Sequence, residues 1–327
     1  MRLVVGGAGF IGSALVRLLA GDGRVRVLDD LSTGKAENLD GIDGVELQRG
    51  SVLDSGAVAR AFEGVDVVFN LACLGVRHSI RRPLENHEVN ARGTLNLLEA
   101  ARHAGIKRFV HTSSSEVYGT ALHTPMDEYH PTFPHTVYGG SKLAGEAYVR
   151  AYHRTFGVPT VVLRPFNAYG PRSHHEGDSG EVIPKFLVRA MNGLPPVIFG
   201  DGQQTRDFTY VEDTARGIAA AAGRDAAIGA TINLGSGREV TVRELATRVV
   251  QAVGRPDLQP QLAPSRPGDV LRLCAAASQA ADLLGWRAEV DIDAGIAGLL
   301  AWHRARGTDW AACLREERTF NWQEAPA

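Results

Sequence analysis

The chain has 327 residues, is 44% hydrophobic and 22% charged, and carries a formal net charge of −2. This describes an ordinary globular chain of one large or two unequal domains, with no electrostatic reason to expect nucleic acid or an acidic membrane as partner. Its three cysteines, Cys73, Cys274 and Cys313, are widely spaced with no CxxC pair, which excludes a cysteine-based zinc site and a disulfide scaffold and suits a reducing compartment.

The N-terminus enters a strand at once, so no signal peptide is expected, and no apolar run reaches the roughly 18 residues of a membrane span. A cytoplasmic location is the expectation. Arg2-Leu3-Val4-Val5 reads as a buried parallel strand. Gly6, Gly9 and Gly12 follow in G-x-x-G-x-x-G spacing, and Ile11 to Leu19 has helical periodicity. Strand, glycine turn and helix together form the context of a dinucleotide pyrophosphate site: the glycines permit the tight turn and close backbone approach, and the helix N-terminus faces the phosphates. Val25 to Leu28 reads as a second strand, ending in Asp29-Asp30. A carboxylate there accepts hydrogen bonds from ribose hydroxyls and repels a 2′-phosphate, so NAD is favoured over NADP; the two carboxylates outweigh the loop residue Lys35.

Alternation continues. Strands are expected at Val45–Leu47, Val65–Phe69, Arg108–Thr112 and Thr160–Leu163, and helices at Ala57–Phe62, Asn90–His103 and Val137–Phe156. The pattern predicts an α/β fold, a doubly wound parallel sheet with ligands at the carboxyl ends of its strands. After Pro165 the pattern loosens. Residues 171–180 form a polar loop, Asp201-Gly202 a turn, Ile232–Leu234 one more sheet strand, 254–272 an irregular stretch and 277–306 further helix. The expected division is a Rossmann domain at 1–166, with 206–235 returning to it, and a smaller substrate-binding subdomain from 167–205 and 236–327.

Tyr138 and Lys142 lie four residues apart and share a helix face. A free tyrosine has a pKa near 10, and a nearby ammonium and a positive nicotinamide ring favour its phenolate, so the pair is read as a proton-transfer device. Directly after the fifth strand, Ser113-Ser114-Ser115-Glu116 offers hydroxyls to hold a reacting hydroxyl near Tyr138; the residues alone do not say which serine. His78 follows the fourth strand and is placed either in the sugar pocket or in a plain loop. His174-His175 with Glu176 and Asp178 lacks HxxxH spacing and reads as a substrate-covering loop; no metal site is expected.

These segments make the chain resemble the extended short-chain dehydrogenase/reductases, specifically the NAD-dependent nucleotide-sugar epimerases and dehydratases. The resemblance spans nearly the whole chain. It is carried by Gly6 to Gly12, Asp29-Asp30, Asn70-Leu71-Ala72, Val89 to Thr94, the serine run, Tyr138 to Lys142, Arg164 to Arg172, Arg206-Asp207-Phe208 and Arg266 to Asp269. It implies NAD contacts from Gly6, Gly9, Phe10, Ile11, Gly12, Asp29, Asp30, Ser51, Val52, Leu71, Ala72 and Asn90, with Tyr138 and Lys142. Ser51 departs from the Asp of many relatives. The same resemblance places the catalytic hydroxyl on Ser114 and substrate contacts on His78, Ser114, Ser115, Asn167, Arg206, Arg266 and Asp269. The arginines would bind the diphosphate of a nucleotide sugar by bidentate pairing.

The resemblance further implies oxidation at sugar C4, followed by epimerisation, by 4,6-dehydration or by decarboxylation. Glu116 is the discriminating residue. A 4-epimerase needs no base at C5, whereas 4,6-dehydratases have a Glu in this position to take the C5 proton; decarboxylases share the Ser-Ser-Glu pattern. The expectation is a 4,6-dehydratase, with 4-epimerase and then decarboxylase as alternatives. A homodimer through the helices near 90–103 and 138–156 is also implied.

Overall fold

The computed structural model describes residues 1–323, so the last positions of the 236–327 segment lie outside the described residues. Seven parallel strands form the central sheet: β1 (Arg2–Val5), β2 (Val25–Asp29), β3 (Val45–Arg49), β4 (Val67–Asn70), β5 (Arg108–Thr112), β6 (Thr160–Pro165) and, by a late return of the chain, a strand at Thr231–Leu234. Their spatial order is β3-β2-β1-β4-β5-β6, with Thr231–Leu234 beyond β6. This is the expected doubly wound α/β fold.

Side-chain alternation splits the sheet's two cores. In β1, Val4 joins one apolar cluster while Leu3 and Val5 join the other, as the two-residue period of a strand requires. The first cluster takes in Leu15 and Leu19 of helix α1 (Phe10–Ala20); the second takes in Val58 of α2 (Ser55–Ala61). Two short helices, α3 (Val76–Arg81) and α4 (Pro83–His87), follow β4. The helix expected at Asn90–His103 is divided. Glu88–Arg92 forms one π-turn, and α5 (Gly93–Ala104) continues from it. Leu97 and Leu98 of α5 and Val149 of α6 (Val137–Phe156) complete the second core. Thr136 starts α6, its Oγ1 accepting from Gly139 N at 3.1 Å, a hydroxyl satisfying an otherwise orphaned amide.

Beyond β6 the structure is more regular than the sequence suggested. A small sheet joins β7 (Asn167–Tyr169) to a parallel strand, Thr205–Tyr210, which pairs antiparallel with Glu239–Thr241. Three amphipathic helices were not expected: α7 (Val182–Met191), α8 (Val211–Ala222) and α9 (Val242–Ala252). Ile218 and Ala221 of α8 pack into the first core of the large sheet, whereas α7 and α9 share a third core with the small sheet. In order, the remaining strands are β8 (Val197–Phe199), β9 (Thr205–Tyr210), β10 (Thr231–Leu234), β11 (Glu239–Thr241) and β12 (Gln261–Ala263); β12, inside the stretch read as irregular, pairs with β8. Helices α10 (Ser278–Leu284), α11 (Ile292–Ala305) and α12 (Trp310–Glu316) end the described chain.

No helix among the described residues is long and apolar enough to cross a membrane.

Candidate active site

The sheet order reverses at β1, between β2 and β4, and a long cleft opens at the carboxyl ends of these strands, where an α/β sheet collects its ligands. Gly6, Gly9, Phe10, Ile11 and Gly12 form its floor beside Asp29 and Asp30. Two glycines are required there. Gly6 has φ of +77° and a Cβ on it would lie 2.7 Å from Ala72 N; a Cβ on Gly12 would run into the Gly6 carbonyl. The backbone is therefore bare where a pyrophosphate would rest against the start of α1, and this cradle fits a dinucleotide. Asp29 is buried and braces the loop, accepting from Ala8 N and Leu31 N at 2.9 Å each. Burial raises its pKa, and those two amides partly offset the shift. Asp30 is exposed and takes Ser32 N at 2.9 Å. Lys35 is engaged by Glu176 at 2.8 Å, so it does not offer a free ammonium to a phosphate.

Val52, Leu71 and Ala72 line the cleft as expected, but Ser51 and Asn90 do not. The Ser51 hydroxyl turns to its own loop and accepts from Leu53 N at 3.2 Å. Asn90 sits in the π-turn, 1% exposed, and its amide is spent on Leu74, Asn86 and Ser141. It positions the loop after β4 without facing the cleft itself. The sequence pattern gives the position of such an asparagine and not its direction.

The catalytic candidates do meet. Ser114 follows β5 with extended backbone, its Oγ accepting from Glu116 N at 3.2 Å, and lines the cleft with Tyr138. Lys142 is buried one turn along α6, and its Nζ donates to the Thr112 carbonyl at 2.6 Å. Burial dominates both groups. It raises the Tyr138 pKa well above a free phenol, reinforced by the Cys73 thiol, and it lowers that of Lys142. In the protein alone, then, the proton stays on Tyr138, and the lysine acts on the β5 carbonyl rather than as the dominant influence on the phenol. Cys73, which the sequence marked only by its isolation, lines the cleft against this pair.

Glu116 is neither exposed nor a helix cap. It is 8% exposed, lines the cleft, and its Oε2 is buried without a hydrogen-bond partner. Ser115 and His78 line the same cleft, with His78 Nε2 3.4 Å from Glu85. Farther along, Asn167 on β7 directs a buried, unpartnered Oδ1 into the site region. Arg206 on β9 and Arg266 both donate to Asp269 Oδ1, at 2.7 and 2.6 Å. One carboxylate oxygen thus sets two guanidiniums side by side, a geometry suited to two adjacent phosphates. Asp269 serves the arginines first.

The loop 171–180 bridges the site. Arg172 Nε donates to Ser13 Oγ at 3.1 Å, Glu176 meets Lys35, and Asp178 meets Arg81 at 3.1 Å. His174 Nδ1 lies 3.0 Å from Glu176, while His175 turns to Glu316 of α12 at 3.3 Å. Among the described residues no three His, Cys, Asp or Glu side chains gather as a metal site.

Residues 2–235 match the profile of the NAD dependent epimerase/dehydratase family. The chain belongs to that family. It is an extended short-chain dehydrogenase/reductase, and its cofactor is NAD. It is 39% identical over 309 residues to a UDP-glucose 4-epimerase of Mycolicibacterium smegmatis, covering 92% of this chain and 98% of the relative. It is 36% identical over 321 residues to a dTDP-glucose 4,6-dehydratase of Actinoplanes sp., covering 94% and 99%. The crystal structure of a UDP-glucose 4-epimerase with UDP-glucose from Thermotoga maritima is similar at a TM-score of 0.89 and 33% identity, covering 94% of this chain and 99% of that one. Within the family, epimerases and dehydratases stand at comparable distance from this chain.

Proposed function

We propose that the protein is an NDP-hexose 4,6-dehydratase working through a 4-keto sugar. The observation that carries this reading is Glu116, a cleft-lining carboxylate with a buried, unpartnered oxygen, two residues beyond Ser114. A 4-epimerase has no use for a base at C5.

Bound NAD supplies a hydride acceptor for C4 and a positive charge that favours the phenolate. Ser114 holds the C4 hydroxyl, and Tyr138 takes its proton. The resulting ketone acidifies the C5–H, and Glu116 removes that proton. Ser115 stands where a carboxylic acid would otherwise protonate the leaving group. Glu116 therefore hands its newly gained proton to the C6 hydroxyl, which leaves as water; return of the C4 hydride to C6 and of a solvent-exchanged proton to C5 would then complete the redox-neutral dehydration. Arg206, Arg266 and Asn167 hold the diphosphate. In this reading residues 1–166 with 206–235 serve NAD, 167–205 with 236–327 serve the nucleotide sugar, and α5 and α6 offer the surface for a homodimer.

The 39% identity to an epimerase favours 4-epimerisation as the second reading; there Glu116 is only a positioning group. Mass spectrometry after incubation with NAD and UDP-, dTDP-, GDP- and CDP-sugars in deuterated water separates the two. Loss of one water with deuterium uptake is expected. An isomer of unchanged mass without deuterium would replace dehydration by epimerisation, and loss of carbon dioxide from a uronic acid would replace both.

A further inference from the structure

Glu181 and Arg77 have no part in the chemistry above, yet both line the cleft. Glu181 immediately precedes α7, but its side chain does not cap the helix. Its backbone amide is held by the His174 carbonyl at 2.7 Å, and its Oε2 is buried without a partner. Arg77, on α3, forms no hydrogen bond or ion pair to the protein among the described residues. The charges that act on it most are those of Arg266, Glu181, Asp269 and Glu116. Arg77 therefore feels both the arginine–aspartate cluster of Arg266 and Asp269 and the carboxylate Glu116, and Glu181 acts on it within the same cleft.

A charge balance follows. Apart from Lys142, which belongs with Tyr138, the cations of the cleft are Arg77, Arg206, Arg266, Lys185 and Arg189. Asp269, Glu317, which engages Lys185 and Arg189, and the two charges of a bound sugar diphosphate match four of them. Glu116 and Glu181 then outnumber the one cation that remains, and a third carboxylate on the sugar would meet like charge there. We propose that Glu181 is a specificity-determining residue that accepts sugar hydroxyl or amide hydrogens and excludes hexuronates, so the substrate is a nucleotide-activated hexose without a carboxylate. This rests on the nucleotide-sugar reading and deepens it. Burial pushes the Glu181 carboxyl up to about 7, against the opposing pull of His174 and Arg77.

Calorimetric titration of the NAD-loaded protein with UDP, dTDP, GDP, CDP, UDP-glucose and UDP-glucuronate tests it. UDP-glucose is expected to bind about tenfold or more tightly than UDP-glucuronate. Glu181→Gln, nearly isosteric, should narrow that ratio about tenfold, chiefly by tightening UDP-glucuronate. Glu181→Asp, which keeps the charge, should retain the discrimination, an outcome that a merely structural role would not produce. Equal binding of the two sugars to the wild type, or an unchanged ratio in a folded Glu181→Gln protein, overturns the proposal and leaves the nucleotide-sugar reading standing. Failure of all four free diphosphates to bind overturns both.

Discussion

Asn90 grips Leu74 on both sides: its Oδ1 accepts from Leu74 N at 2.8 Å and its Nδ2 donates to Leu74 O at 3.0 Å. The same amide reaches Ser141 Oγ at 3.0 Å, on the helix that carries Tyr138 and Lys142. A residue in the wider turn of a π-bulge, often found at functional sites, thus ties the loop bearing Cys73 to that helix.

Asn90→Ala is expected to destabilise the protein by about 2–4 kcal/mol, because it strands several buried polar groups at once. Denaturant unfolding measures this. A loss below about 1 kcal/mol, the worth of a single ordinary hydrogen bond, would mean that the loop does not depend on the clamp.

Tyr138→Phe should reduce turnover about 100- to 10,000-fold, the usual contribution of a positioned proton-transfer group. Tyr138 lines the cleft with Ser114, and its hydroxyl makes no hydrogen bond to a distant element among the described residues. Bound NAD, measured after denaturing the purified protein, and the melting temperature should therefore match wild type. Full turnover in the variant would remove Tyr138 from the chemistry.

The buried pair Glu146–Arg164 predicts an acid limit to stability. Arg164 Nε and Nη2 donate to the two Glu146 oxygens at 2.8 and 2.7 Å, and Arg150 adds a bond at 2.8 Å. Burial alone would raise the Glu146 carboxyl, but the hydrogen bonds and charge of Arg164 hold it below its ordinary value of 4.5. A folded pKa below the unfolded one gives stability that is complete above the unfolded value and lost as pH falls through the folded one. The melting temperature should therefore fall with acidification below about pH 4.5. Glu146→Gln should cost about 3–5 kcal/mol at neutral pH, by leaving Arg164 buried without its partner, and should flatten the acid limb. An unchanged acid limb in that variant would assign the limb to other carboxylates.

Lys35 and Glu176 fasten the 171–180 loop over the cofactor half of the cleft. Burial opposes charge on Glu176, but His174 and Lys35 together hold its carboxyl below the usual range. The pair is partly exposed, so it is worth no more than about 1 kcal/mol. Lys35→Ala should speed NAD release by up to about fivefold, the rate equivalent of that energy, read by exchange of bound NAD for a fluorescent analogue. Identical release rates would show that the loop does not retain the cofactor.

The βαβ half was readable because most of its strands are apolar runs and its helices have a local period; β1, β5 and α6 begin and end where the sequence places them, with β1 and β5 fully described by their own residues. The second half depends on distant pairing. Thr205–Tyr210 becomes a strand because it finds both Asn167–Tyr169 and Glu239–Thr241, which no local pattern announces. Within the site, residue types whose backbone or charge defines a motif were visible, and the structure brings Ser114, Glu116, Tyr138 and Lys142 into one cleft. Direction was not visible: Ser51 and Asn90 turn away, while Arg77 and Glu181 turn in. The one cue for Arg77 was its place just beyond a strand's carboxyl end, and for Glu181 its place between a polar loop and a helix start.

The neighbour of β6 on its outer side is β10, which the chain supplies only after some sixty further residues have built a different layer. Every residue of β6 is buried, so a nascent chain that has emerged only through Phe166 presents an open, apolar sheet margin of the kind that invites pairing with a stranger. During synthesis the cofactor half must wait for Leu234 before it can be sealed, and a separately expressed 1–166 fragment should aggregate where the whole chain stays dispersed.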